Sequence, residues 1–248
     1  MGTAKKRIYL LVLIFVSVAL LNSIGSAASF LDNISLGLER NIGQSNYETV
    51  IREKRVVQLA QPQAARVGNL FRSLVNACGR SRELHFTLTV LQDDGVNAFA
   101  LPGGYVFVNT GLLNYVKSDG ELAGVLGHEI AHIDRKHGMR AVYRSVGFSA
   151  LIAFLSGNGR NLEDREQIRR LAAVSMNLAQ LGYSREAEYE ADRLGVQLME
   201  SAGYDKRALL RFWSRLAAAA DSKTPAFMTM FATHPLTRER IKRIEMMN

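Results

Sequence analysis

The stretch Ser118-Asp119-Gly120-Glu121-Leu122-Ala123-Gly124-Val125-Leu126-Gly127-His128-Glu129-Ile130-Ala131-His132 opens like a helix and ends on two imidazoles. Its first four residues resemble a capping box, in which a serine side chain and a glutamate three residues on satisfy backbone donors at a helix start. On the ensuing helix, His128 and His132 share one face about one turn apart, where both can grip a single metal ion. Glu129 comes directly after the first histidine and can reach a water held by that ion. Imidazole pairs at this spacing, with a carboxylate between them, suit metal-assisted hydrolysis.

Working outward, the segment before this helix changes character. Leu84 to Leu91 alternates and is rich in β-formers, which predicts a strand. Asp93-Asp94-Gly95 turns the chain, Asn97 to Leu101 is a second extended piece, Pro102-Gly103-Gly104 a tight turn, and Tyr105 to Asn109 a third strand. Tyr47 to Ala77 carries helical periodicity that Pro62 divides, and Phe30 to Asn46 reads as a polar, loosely held lead-in. From Thr110 onward almost everything reads as helix. Leu162 to Leu181 is one helix, Ser184 and Asp205 are caps for two more, and Leu236 to Met247 forms the last. Val146 to Leu155 is apolar but too short to span a bilayer, so it reads as a buried helix, with a membrane-surface helix as the alternative. The fold class expected is α+β, mainly α, with a small antiparallel sheet beside the helix of His128 and His132.

The bulk numbers agree with one ordinary domain. The chain has 248 residues, 48% of them apolar, and only four prolines, so a real core is available. The net charge is +8, three of it from Lys5, Lys6 and Arg7. No aromatic-basic interleaving accompanies that charge, so nucleic acid is not an expected partner. Lys5-Lys6-Arg7, an apolar run of 14 residues from Ile8 to Leu21, and small residues ending at Ala27-Ala28 together read as a cleaved export signal. An uncleaved N-terminal anchor is the alternative. The expected division is residues 1–28 as signal and 29–248 as a single domain. Cys78 is the only cysteine, so no internal disulfide forms, and it reads as a small buried side chain near a helix end.

A catalytic zinc takes three protein ligands and keeps one position open. A third histidine in the pattern HExxHxxGxxH would need Gly at 135 and His at 138, where the chain has Arg135 and Gly138. His137 is one residue off that register and is expected to point elsewhere, as a polar residue at the helix end. Downstream, Ser184-Arg185-Glu186-Ala187-Glu188-Tyr189-Glu190-Ala191-Asp192 offers carboxylates. Glu188 and Asp192 are four apart and share a helix face, so one can bind the metal while the other orients a ligand histidine. Glu186 and Glu190 fall on other faces.

These blocks occur in order with Thr233-His234-Pro235-Leu236 and Arg240-Ile241. Together they resemble metallopeptidase family forty-eight, the CAAX prenyl protease, HtpX and Oma-like gluzincins. Asn97-Ala98-Phe99-Ala100-Leu101-Pro102-Gly103-Gly104, with Thr110-Gly111-Leu112-Leu113 after it, is also similar to that family, so the resemblance covers about Leu84 to Ile241. It implies a gluzincin-type domain holding one Zn2+ per chain through His128, His132 and Glu188, with Asp192 behind them and Glu129 as general base. It further implies that His234 lies at the active site and that Arg240 points toward the reaction centre. Asn97, Ala98, Phe99 and Ala100 resemble the edge strand that pairs with the substrate backbone.

Without spanning helices after the signal, the chain resembles the exported, BepA-like branch. Members of that branch carry a C-terminal TPR domain, which is not expected in a chain read to Asn248. The expected activity is a zinc metalloendopeptidase of the bacterial cell envelope, periplasmic, acting on unfolded or misassembled proteins. The competing expectation is a zinc-binding, chaperone-like envelope protein with little turnover, for which Glu129 would be dispensable. The sequence is silent on oligomeric state.

Overall fold

The computed structural model describes residues 32–33, 35–145, 162–220, 225–235 and 238–247. The expected export signal and the apolar stretch Val146 to Leu155 lie outside the described residues. The chain divides into two units, Met1–Leu38 and Glu39–Asn248. Of the first, only helical residues 32–33 and 35–38 are described; all the other described residues belong to the second.

Helix α1 (residues 35–53) replaces the loose lead-in expected there. Ile42, Asn46 and Val50 recur every four residues and are all buried, so the polar appearance of the segment hides a narrow inward stripe. Asn46 Nδ2 donates to Ser175 Oγ across 129 residues of sequence, which satisfies that buried amide. Pro62 does divide the next stretch: residues 55–60 are not helical, and α2 runs Gln63–Ala77.

Strands β1 (Thr87–Leu91), β2 (Ala98–Leu101) and β3 (Tyr105–Asn109) form one sheet in the order β1-β3-β2. β2 and β3 are antiparallel and joined through the turn Pro102–Gly104, whose glycines take φ values of 82° and 99°. β1 and β3 are parallel, with Thr87 opposite Tyr105 and Leu91 opposite Asn109. The sheet is therefore mixed rather than antiparallel throughout. β2 serves as the crossover from β1 to β3 and pairs on β3's far edge, a topology that strand patterning does not encode.

Helix α3 (Thr110–Tyr115) leads into α4 (Asp119–Asp134), which is buried on every side from Glu121 to Ile133. The capping box at its start is half formed. Ser118 Oγ accepts from Glu121 N, while the Glu121 carboxylate takes the N–H of Lys117 and the fork of Arg215. Around α4 pack α2, the sheet, α7 (Arg185–Ser201) and α8 (Arg207–Ala220), the last contributing Leu209, Phe212, Trp213 and Leu216. Helix α5, described over residues 137–145, comes after α4, and α6 (Leu162–Leu181) covers the other side of the sheet with α1, around Val50, Leu91, Phe107 and Ala179. α9 (Pro225–Thr233) and α10 (Arg238–Glu245) complete the order. Ser184 and Asp205 cap α7 and α8, as their positions predict.

The crossing of α4 and α7 is set by two glycines. A Cβ on Gly127 would lie 2.9 Å from Gly195 O, and one on Gly195 would lie 2.9 Å from His128 N. The backbones thus touch directly at the first histidine, and α7 is drawn close enough for its carboxylates to reach α4.

Cys78 caps the C-terminus of α2, with Sγ 3.1 Å from Asp134 Oδ1. Burial, reinforced by Asp134, pushes its thiol up to about 12. A colorimetric disulfide reagent at pH 8 should therefore find no reactive thiol in the folded protein and one per chain after unfolding.

Candidate metal centre and active site

Four elements converge on one buried cluster. Helix α4 supplies His128, Glu129 and His132, and α7 supplies Glu188 and Asp192. The turn after α9 supplies His234, and α10 supplies Arg240. None of the seven is more than 2% exposed. His128 Nε2 lies 3.1 Å from His132 Nε2, 3.4 Å from Glu188 Oε2 and 3.3 Å from His234 Nδ1. His132 Nε2 lies 3.5 Å from Glu188 Oε1, and His234 Nδ1 is 3.2 Å from the same oxygen. One ligand atom from each of His128, His132, Glu188 and His234 falls within 4.8 Å of all the others, close enough for all four to hold a single ion.

The charge balance of this cluster fits a divalent cation. Three buried carboxylates, Glu129, Glu188 and Asp192, face one buried guanidinium, Arg240. With the imidazoles neutral, two negative charges are left to be balanced. Burial opposes charging His128, but Asp192 and Glu188 outweigh it and lift its pKa to about 9, which registers how strongly the site favours positive charge. Burial, with His128 next, holds His132 well below the ordinary histidine range, so this ring is neutral with a lone pair to give. Glu188 stays ionised against burial because His234 and His128 face it. Asp192 does so because Arg240 and His128 face it. Glu129 is pushed up, chiefly by burial, in the direction a general base at neutral pH requires. Two imidazoles and a carboxylate form a donor set suited to zinc.

Around the donors the remaining residues sort by contact. Asp192 Oδ1 lies 3.0 Å from His128 Nδ1, the ring nitrogen turned away from the cluster. Glu129 Oε1 is 3.2 Å from His234 Nε2. Arg240 comes in from behind the carboxylates. Its Nε and Nη2 each lie 2.7 Å from an Asp192 oxygen, its Nη1 lies 2.7 Å from Glu188 Oε2, and its fork sits over Trp213.

β2 is an edge strand of the sheet. Ala98 and Ala100 are buried, and Ala100 lines a small hollow with His132 and Tyr183. Phe99 faces the opposite way, stacked on Phe107, and with Asn97 lines a cleft of about 220 Å³ beneath α6. Asn97 Oδ1 accepts from Thr233 Oγ1, which ties the start of β2 to the residue before His234.

Two features differ from the sequence expectation or escape it. His137 does not point elsewhere: it is 3% exposed, and its Nδ1 lies 2.9 Å from His132 Nδ1. The reason is that α4 ends at Asp134, and Lys136, at φ 55°, reverses the chain, so His137 opens a new helix instead of continuing the register of α4. Tyr183 lies flat against His132, with ring centroids 4.2 Å apart, and nothing in its sequence surroundings announces that contact.

Comparison with known proteins places this arrangement. The sequence profile of peptidase family M48 matches residues 61–248. The chain is 32% identical over 217 residues to the mitochondrial metalloendopeptidase OMA1 of Schizosaccharomyces pombe, covering 86% of this chain and 62% of that protein. It is 37% identical over 183 residues to a putative beta-barrel assembly-enhancing protease of Vibrio cholerae, covering 71% of this chain and 37% of the relative. The beta-barrel assembly-enhancing protease of Escherichia coli is 31% identical over 165 residues, covering 63% and 33%. The chain thus spans between about a third and three fifths of the length of these curated relatives.

Proposed function

Because the chain belongs to peptidase family M48, whose members depend on a metal, we propose that it is a zinc-dependent endopeptidase with His128, His132 and Glu188 as the metal ligands. The single observation that carries this is the convergence of those three donors from α4 and α7 into a buried cluster short of two positive charges. Zinc, when bound, would supply Lewis acidity, polarising a scissile carbonyl and acidifying the attacking water.

The chain's own residues do the rest. Glu129 takes the proton from the attacking water and returns it to the leaving amine, a role that its pKa, raised by burial, suits. Asp192 holds His128 by its outer nitrogen, and Arg240 holds Asp192 and Glu188 in place. The donors of Arg240 that face the centre engage these carboxylates, which leaves oxyanion stabilisation to His234. Asn97, Ala98, Phe99 and Ala100 offer an edge along which an extended peptide can add as a strand.

His234 has a second proposed role. Its Nδ1 sits among the metal donors and its Nε2 lies 3.2 Å from Glu129, so in this arrangement it would help hold the ion in place of the attacking water and engages the general base. His234→Ala removes latch and oxyanion donor together: it raises cleavage where release of the latch outweighs the lost donor, and lowers it by up to about 100- to 1000-fold where the donor dominates. Unchanged or lower activity would count against the latch, and lower activity would fit the donor role.

For the setting, we propose export to the envelope or periplasm, with residues 1–28 as the signal and 29–248 as the domain, an uncleaved anchor being the alternative. Among the described residues no helix is long and apolar enough to cross a membrane. The proposed substrates are unfolded or misassembled envelope proteins, a reading supported by the β-barrel-assembly names of the bacterial relatives. The test is incubation of the chain and of His234→Ala with unfolded casein, then sequencing of the fragments. Internal cuts are expected. Removal of terminal residues alone would contradict an endopeptidase, and no cleavage by either protein would favour the chaperone-like reading.

A further inference from the structure

We propose that His137 and Glu190 are positioning residues that fix the tautomer and ring orientation of His132, as Asp192 does for His128. The inference rests on His132 being a metal ligand. His132 turns Nε2 toward His128 and Glu188, and Nδ1 away from them, 2.9 Å from His137 Nδ1. A lone pair offered at Nε2 leaves the ring proton on Nδ1, so Nδ1–H donates and His137 Nδ1 accepts. A neutral imidazole accepting at Nδ1 carries its own proton on Nε2, and His137 Nε2 lies 3.1 Å from Glu190 Oε2. The two hydrogen bonds therefore run one way, from His132 through His137 to Glu190, and each proton has one acceptor.

The far end of the chain is anchored. Arg140 Nη1 lies 3.1 Å from Glu190 Oε2, and Arg135 Nε lies 3.4 Å from Oε1. Helix α7 thereby supports both imidazoles, His128 directly through Asp192 and His132 through Glu190 and the intervening ring. The reversal at Lys136 makes this possible by returning His137 to the outer nitrogen of His132. A carboxylate orienting a ligand histidine is common in metal sites, and losing one typically weakens metal binding about 10- to 100-fold.

A purely structural bridge between α5 and α7 would use the same contacts, so the test must read the metal site. Zn2+ affinity of the full chain is measured by competition with a chromogenic chelator, and the visible absorption of the Co2+ form is recorded, for the wild type, His137→Ala, Glu190→Ala, Glu190→Gln and His132→Ala. We expect His137→Ala and Glu190→Ala to weaken Zn2+ binding about 10- to 100-fold and to alter the Co2+ bands. Glu190→Gln, which keeps an acceptor oxygen but loses the charge that pairs with Arg135 and Arg140, is expected to stay close to wild type. Wild-type affinity and spectrum in folded His137→Ala and Glu190→Ala, with His132→Ala binding-deficient, overturn the inference alone. Wild-type binding by His132→Ala overturns the ligand assignment beneath it. If His137→Ala does not fold, Glu190→Ala decides, since Glu190 is only half-buried.

Discussion

Glu129→Gln is expected to bind zinc as the wild type does, melt within a few degrees of it, and lose about 10²- to 10⁴-fold in the rate of peptide hydrolysis. The amide fills the same volume and still accepts one hydrogen bond, so the buried cluster keeps its shape. It cannot take the proton of the attacking water. It also replaces the carboxylate oxygen that lies 3.2 Å from His234 Nε2 with an amide group, so any latch should loosen while chemistry is lost. Casein cleavage, zinc affinity and thermal unfolding, measured on one preparation, separate these effects. Residual cleavage above about a tenth of wild type would remove Glu129 from the role of base.

Gly195→Val is expected to damage fold and site together. Its Cβ would meet His128 N at 2.9 Å and His128 Cα at 3.0 Å, and those are backbone atoms that no side-chain rotation moves aside. Overpacking of this kind typically costs about 1–3 kcal/mol. Relief would come by lifting α7 off α4, which carries Glu188 and Asp192 away from the histidines. The expected result is a lowered melting temperature with zinc affinity reduced more than about tenfold, in the range seen when supporting residues of a metal site are lost. Gly68→Ala is the control. It sits in α2 with only the tip of Arg72 within 4 Å, so the helix-favouring alanine should leave zinc affinity unchanged and stabilise by up to about 1 kcal/mol. A zinc affinity unchanged by Gly195→Val would mean that the helix contact does not position the carboxylates.

Part of the site and fold is legible in the chain and part is not, for physical reasons. His128 and His132, like Glu188 and Asp192, are spaced by one helical turn, so their faces can be read from the 3.6-residue period. The bounds of β3, and the end of α6 at Leu181 just before Gly182, coincide with local sequence patterns. Helix α1 escapes such a reading because its buried face mixes Ile42 and Val50 with Glu39 and Asn46, polar residues whose partners, Arg80 and Ser175, lie far along the chain. The parallel pairing of β1 with β3 depends on how a six-residue connection crosses, and no residue in Gln92 to Asn97 specifies that. A register argument misplaces His137 because it assumes an unbroken helix, whereas Lys136 takes a left-handed φ that side-chain identity does not announce. The backbone contact between Gly127 and Gly195 lies between residues far apart in the chain and can be seen only once both helices are placed.

Dependence of cleavage on one bound zinc is best tested by a metal titration. The chain is stripped with a chelator, zinc is returned in sub-stoichiometric steps, and casein cleavage is recorded at each. Stripping is expected to abolish cleavage, and the rate to climb with added zinc and level off at one equivalent per chain. Cleavage that survives stripping, or a rate that zinc does not restore in a protein that remains folded, would contradict a zinc peptidase built on His128, His132 and Glu188.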